Sequence, residues 1–297
     1  MPDLSVIILS YNTKNTTKKC IESLHKSLNE SNILSEIIII ENNSVDESYE
    51  MVKKILENSN KKIIYKAIFN KINYGYAKGN NQGIKIAKSR NILFLNSDVI
   101  IQDIKWDKLL YYFVNNPNIG ALTVKVNTLD GNIDQASHRG FPTVWNAFTY
   151  YSKLEKIFGK VPVLNIFFGG YHLTKLNLNK IHEIDSPSGA FYLTSKKVMN
   201  KLKGFDDKTF FLYGEDLDLS YRIKELGLKI VYFPKYKVLH LKSISGLKKR
   251  DIKIKSASKK HFYSAMKKFY KKHYENKYPK FIKNIVYYFI DLKSKSS

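Results

Sequence analysis

The sequence predicts an α/β protein built on a doubly wound, mostly parallel sheet. Two observations predict it. Short apolar runs alternate with amphipathic helical stretches through the first hundred residues, the order of successive βαβ units. The second run, Glu36 to Glu41 with four isoleucines between, is apolar on both faces, as befits a strand covered by helices on both sides.

The elements follow in order. Residues 4–9 form a first strand that ends at the polar Ser10-Tyr11-Asn12. A helix over 16–28 sets Cys20, Ile21, Leu24 and Leu28 on one face. The isoleucine strand ends at Glu41-Asn42-Asn43. Ser44 or Asp46 caps a helix that carries Met51, Ile55 and Leu56. Residues 62–69 read as a third strand ahead of Asn70 and Asn73, 75–89 as a helix, and 91–95 as a fourth strand that runs into Asn96-Ser97-Asp98. Residues 130–185 read as loops and short helices that cover a pocket, with Trp145, Phe148, Tyr150, Tyr151, Phe167 and Phe168 as a satellite core. A helix spans 196–202, a second starts near 215 and ends near Gly227, and a strand over 228–233 stops at Pro234. The last 45 or so residues are basic and aromatic.

The chain has 297 residues, enough for one large domain with an appendage. Its net charge of +24 attracts polyanions, whether nucleic acid, anionic lipid or phosphorylated substrates; surface-solvated lysine is the plainer reading. A single cysteine, Cys20, excludes an intrachain disulfide and points to a reducing compartment. The N-terminus lacks the pattern of a signal peptide, and no apolar run is long enough to cross a bilayer. A cytoplasmic protein, peripheral at the inner face of the membrane through its tail, is the expectation.

In open α/β sheets ligands bind beyond the carboxyl ends of the strands. Four polar clusters stand at those ends, which points to a composite pocket. Asp98, at the end of a buried strand, is placed to hold a hard cation through its carboxylate; as a helix N-cap it would be merely structural. Glu215-Asp216-Leu217-Asp218 opens a helix. At i and i+2 the two aspartates diverge, so one can face a cleft as a general base while the other pairs with Arg222. His240 follows the last strand; beside a diphosphate and an acid it becomes a metal ligand. The stretch from Asn73 to Gly83 is glycine-rich at a helix start, suited to close backbone approach, and matches neither common phosphate-binding fingerprint.

Taken together, Ser5 to Asn12, Ile40-Glu-Asn-Asn-Ser44, Asn73-Tyr-Gly-Tyr-Ala77 with Asn80, Phe94-Leu-Asn-Ser-Asp98, Ser188-Gly-Ala190, Gly204-Phe-Asp206, Phe211 to Leu219, and Pro234 to His240 resemble the family 2 inverting glycosyltransferases of GT-A fold, in their rhamnosyltransferase-like branch. The resemblance spans residues 4–246. It implies a catalytic domain over 1–250, with a nucleotide-binding half (1–127) and an acceptor-binding half (128–250), followed by a basic helical tail (251–297). It also implies roles. Ser10, Tyr11, Asn12, Glu41, Asn43, Asn73, Lys78, Asn96 and Ser97 belong to the nucleotide side. Asp98 and His240 ligate Mn²⁺ or Mg²⁺, Asp216 is the catalytic base, and Gly189, Ala190 and Glu215 lie at the sugars. The donor is a UDP- or dTDP-sugar, and the acceptor a glycan or lipid-linked glycan of the cell surface. Two positions depart from the family pattern: Asn96 stands where the fuller metal motif has Asp, and Glu41 where Asp is usual.

Phe281, Ile282, Ile285, Val286, Phe289 and Ile290 form one apolar helical face amid lysines, fit either to lie on an anionic membrane or to dock on the domain. Other classes are a nucleic-acid-binding protein, for which no motif is present, a nucleotidyltransferase, and a scaffold without catalysis; no specific nucleic acid is expected as a partner.

Overall fold

The computed structural model describes residues 1–242 and 252–296. The end of the family resemblance (243–246) and the boundary drawn at 250 fall outside the described residues. The strands and helices of the first hundred residues come in the predicted order, though Glu47, not Ser44 or Asp46, stands at the N-cap of the second helix: β1 (Leu4–Ser10), α1 (Lys14–Asn29), β2 (Ser35–Glu41), α2 (Ser48–Leu56), β3 (Ile63–Phe69), α3 (Gly75–Ile86) and β4 (Asn91–Asn96). Strand β1 pairs in parallel with β2 and β4, and β2 with β3.

The pleat explains the uninterrupted isoleucines. Ile37 and Ile39 point to a core shared with Cys20, Leu24 and Val52, whereas Ile38 and Ile40 point to one shared with Ala77 and Ile84. Helices α1 and α2 therefore cover one face and α3 the other. Cys20 is the buried core residue expected, its thiol pushed well up by burial.

After β4 the chain departs from the expectation. Asp98 precedes not a helix but a strand, β5 (Val99–Asp103), so it lies at a junction between two strands and caps nothing. Next come α4 (Trp106–Val114), β6 (Ile119–Thr128), and α5 (Val144–Tyr151), α6 (Leu154–Phe158) and α7 (Leu164–Phe168), the short helices expected of the middle. β7 (His182–Ile184), β8 (Phe191–Ser195), α8 (Lys196–Leu202) and α9 (Glu215–Glu225) lead to β9 (Lys229–His240). All nine strands join one sheet, ordered β3-β2-β1-β4-β8-β6-β9-β5, with β7 on β9. β8 lies antiparallel between β4 and β6, so the strands of the first hundred residues and the later ones share a single sheet.

Pro234 does not end the last strand. The ladder between β6 and β9 runs Val124 to Phe233 and then Lys125 to Lys237, so Pro234 sits in a bulge where no ladder N–H is required. The strand continues to His240, which pairs with Val99 and Thr128.

The C-terminal region forms α10 (Ile252–His273) and α11 (Lys280–Ser296). Ala265, Phe269, Tyr270 and Tyr274 make a core with Phe141 and Phe210. The apolar face expected on α11 is divided. Ile290 is buried and Val286 packs on that core, while Phe281, Ile285 and Phe289 are exposed. No helix among the described residues is long and apolar enough to cross a membrane.

Candidate active site

The strand-end loops are tied together from within. Asn42 is fully buried: its Nδ2 donates to Asn73 Oδ1 at 2.8 Å, and its Oδ1 accepts from Tyr74 N and Asn70 Nδ2. Asn73 Oδ1 also accepts from Gly75 N, closing the turn into α3. Ser10 and Glu41 stand at the expected strand ends with their side chains turned inward. Ser10 Oγ meets Thr17 Oγ1 at 3.0 Å, and the Glu41 carboxylate accepts from the backbone N–H groups of Asn43 and Ser44. Asn12, at φ +54°, accepts from Val45 N through its Oδ1 and donates its own backbone N–H to Ser44 Oγ. Tyr11, Asn43 and Lys78 are exposed at the rim, with the Lys78 ammonium 4.2 Å from the centre of the Tyr74 ring. Ser97 Oγ lies 3.2 Å from Thr13 Oγ1.

The junction of β4 and β5 meets the end of β9. His240 Nε2 lies 3.1 Å from Asp98 Oδ1, and its Nδ1 lies 2.8 Å from Asp134 Oδ2; Lys242 reaches the other Asp134 oxygen. Burial alone would lower the His240 pKa, but hydrogen bonds and charge from Asp134 and Asp98 win and raise it to about 9. Asp134 is held well below the usual carboxylate range: burial opposes this, and His240 and Lys242 outweigh it.

These residues suit a hard divalent cation. Two ligands on one Mg²⁺ or Mn²⁺, each about 2.1 Å from it and at right angles, stand about 3 Å apart, close to the observed separation of Asp98 Oδ1 and His240 Nε2. A carboxylate behind the other imidazole nitrogen is the usual support for a metal-ligating histidine, and Asp134 provides it. No set of three or more His, Cys, Asp or Glu among the described residues is arranged around an ion.

Helix α9 begins after two left-handed residues, Tyr213 and Gly214 at φ +68° and +81°. That sharp entry aims the first turn at the cleft. Asp216 Oδ2 accepts from Arg139 Nη2 at 2.8 Å, and Oδ1 from Leu217 N at 2.7 Å. Asp218 turns the other way and pairs with Arg222, the divergence expected at i and i+2. Glu215 is buried, with Oε2 lacking a partner. Burial, then the charge of Asp216, raises its pKa to about 8.

Tyr76 links the two acidic centres. Tyr76 is half-buried, and its phenol is pushed well up by burial, then by Glu215, Asp216 and Asp98. Its hydroxyl donates to Gly189 O at 3.4 Å. A Cβ on Gly189 would stand 2.2 Å from that hydroxyl and 3.3 Å from Asn96 Oδ1, so only glycine allows α3, β4 and the start of β8 to converge here. Ala190 O accepts from Asn96 N at 3.4 Å, joining the same strands.

The structure thus brings Asp98 and His240 together, and sets Glu215, Asp216 and Gly189 around Tyr76. Four residues outside the predicted set belong here: Tyr76, Asn42, Asp134 and Arg139. The first two lie inside motifs already singled out. Asp134 and Arg139 lie in the aperiodic middle, where no spacing signals them.

A mixed sheet in this order, with an Asp–His pair at one strand junction and an acidic helix start, is a fold of the GT-A type. The family model described as "Glycosyl transferase family 2" matches residues 5–176, more than half of the chain. The chain belongs to this family and is a glycosyltransferase. It is 25% identical over 213 residues to the O-antigen biosynthesis protein RfbC of Myxococcus xanthus, covering 71% of this chain and 15% of that one. It is 27% identical over 181 residues to the rhamnosyltransferase WbbL of Escherichia coli K12, covering 56% and 61%. Less than two thirds of either relative's length is spanned. The structure of GalNAc-T7 with UDP, GalNAc and Mn²⁺ matches with a TM-score of 0.58 at 15% identity, over 81% of this chain and 44% of that chain, a likeness of fold.

Proposed function

We propose that this glycosyltransferase moves a sugar from a UDP- or dTDP-linked donor to a hydroxyl of a glycan or lipid-linked glycan in cell-surface polysaccharide synthesis, with inversion at the anomeric carbon. One observation carries the reading: Asp216, paired with Arg139, and Asp98, paired with His240, both lie close enough to the Tyr76 phenol to raise its pKa. The likeness to a rhamnosyltransferase and to an O-antigen biosynthesis protein supports the acceptor class.

In this mechanism Asp216 accepts the proton of the acceptor hydroxyl as its oxygen attacks the anomeric carbon. The bond from that carbon to the diphosphate oxygen breaks on the opposite face, and the pair of electrons leaves with the nucleoside diphosphate. A divalent ion bound by Asp98 and His240 would supply neutralisation of the leaving diphosphate. Asp134 keeps the His240 ring oriented. Tyr11, Asn43, Asn73 and Lys78 line the nucleoside side, while Ser10, Asn12, Glu41, Asn96 and Ser97 shape the loops that present them. Gly189, Ala190 and the protonated Glu215 border the sugars. The exposed stripe of α11 faces an anionic membrane surface.

The test is thermal stability with Mn²⁺ and a panel of UDP, dTDP, GDP and CMP compounds. A ligand at about 100 times its dissociation constant stabilises by roughly 2.7 kcal/mol. A rise with one diphosphate class, dependent on metal and lost in Asp98→Ala, is expected, followed by transfer and an inverted anomeric signal by NMR. No rise with any of them, beside a rise with oligonucleotides, overturns the reading.

A further inference from the structure

The first turn of α9 carries two aspartates that face opposite ways. Asp216 meets Arg139 at the cleft, whereas Asp218 is fully buried behind it. A buried carboxylate is costly unless paired, and three side chains meet this one, two of them cations. Arg222 Nε, one turn along the same helix, lies 2.8 Å from Oδ2. His273 Nε2 and Lys272 Nζ lie 2.8 Å and 2.6 Å from Oδ1. These last two belong to the end of α10, outside the catalytic sheet.

Each of the three is itself held. Arg222 also donates to the carbonyls of Leu202 and Gly204, and Lys272 also pairs with Asp206. The His273 ring lies 4.2 Å from the ring centre of Tyr221 and 4.8 Å from that of Phe269, which restricts its orientation. Asp218 is thus the point where the segment before α9, α9 itself and the C-terminal helices are joined. Burial pushes its carboxyl up, but the hydrogen bond from His273 and the charges of Arg222 and Lys272 outweigh it and keep the anion.

We infer that Lys272 and His273 are positioning residues for sugar transfer: by gripping Asp218 they set the first turn of α9, and with it the place of Asp216. The inference rests on Asp216 being the base. A helical turn moves as a unit, so a displaced Asp218 carries Asp216 with it. A misplacement of about 1 Å at a reacting group costs on the order of 10²-fold in rate. The C-terminal helices are on this account part of the catalytic apparatus rather than an appendage.

The test is steady-state kinetics on the full chain, with the affinity for nucleoside diphosphate measured beside it by calorimetry. His273→Ala is expected to lower kcat by roughly 10- to 100-fold, with the donor KM and the nucleotide Kd unchanged. His273→Gln keeps an N–H donor at similar reach and is expected to recover most of kcat. Val286→Ala, which loosens the core of the same helix pair without touching Asp218, Lys272 or His273, is expected to lower the melting midpoint and leave kcat unchanged below the transition. Wild-type kcat in His273→Ala, or a loss that only follows the melting midpoint as in Val286→Ala, overturns the inference. Asp216→Asn run in parallel separates the two readings. An inactive Asp216→Asn beside a fully active His273→Ala refutes the grip alone. An active Asp216→Asn refutes the base, and the grip with it.

Discussion

Arg139 Nη2 lies 2.8 Å from Asp216 Oδ2, so a cation from the middle segment orients the acid at the start of α9. Both side chains are mostly shielded from water, which makes the pair matter more than a surface contact. Arg139→Met is expected to lower kcat by roughly 10- to 100-fold through misplacement of Asp216, with nucleotide affinity retained. Initial rates of nucleoside diphosphate release against acceptor concentration check this; an unchanged kcat would show that Asp216 needs no such partner.

Asp134 touches no substrate in the proposed mechanism, yet it holds His240 Nδ1. Loss of such a supporting carboxylate typically weakens metal affinity about 10- to 100-fold. Asp134→Asn should therefore require more Mn²⁺ for nucleotide binding, as read by calorimetry, and EDTA should remove that binding from both proteins. Equal Mn²⁺ requirement in the variant counts against His240 as a ligand.

At Gly189 an alanine Cβ would press on the Tyr76 hydroxyl. Gly189→Ala is expected to destabilise by about 1–3 kcal/mol, the usual cost of overpacking, and to slow transfer. Tyr76→Phe in the same chain removes the colliding oxygen and should recover part of the lost melting temperature. A double variant no more stable than Gly189→Ala would place the strain elsewhere.

Burial, then the charge of Asp216, pushes the Glu215 carboxyl up to about 8 from its ordinary value of 4.5. Between these limits the native state keeps a proton that the unfolded chain has released. Stability contributed by the neutral acid is thus complete below the lower limit, falls as pH rises through the window, and levels off above the upper one. Melting curves of the metal-free protein should show this fall, and Glu215→Gln, which cannot titrate, should lack it. Parallel pH profiles for the two proteins would remove the neutral acid from the site.

The outer stripe of α11 exposes Phe281, Ile285, Tyr288, Phe289 and Leu292, on a stretch that carries eleven lysines from Lys259 to Lys295 against two acids of its own, Glu275 and Asp291. Such a surface suits an anionic bilayer. Changing Phe281, Ile285 and Phe289 to Glu should abolish cosedimentation with phosphatidylglycerol vesicles and leave the melting temperature nearly unchanged. Undiminished binding rules this stripe out as the contact.

Much of the site is legible in the chain because local signals mark it. Polar residues after apolar runs locate the strand ends. The spacing of Asp216, Asp218 and Arg222 already divides the two aspartates between cleft and ion pair. Pro234 shows the limit of such signals: it breaks a strand by propensity, and the mismatch with β6 absorbs it. Asp98 likewise reads as a cap until the following residues pair with β9.

The sequence by itself determined the parallel first half, the two-faced isoleucine strand, and the acids and glycines at strand and helix ends. Those follow from periodicity and backbone preference, which act over a few residues. Only the tertiary structure decided that Asp134 supports His240 across 106 positions, that Arg139 meets Asp216 across 77, and that His273 grips Asp218 across 55. Charge pairing at such separations leaves no period in the chain, because the partners are chosen by where the sheet and the C-terminal helices bring them together.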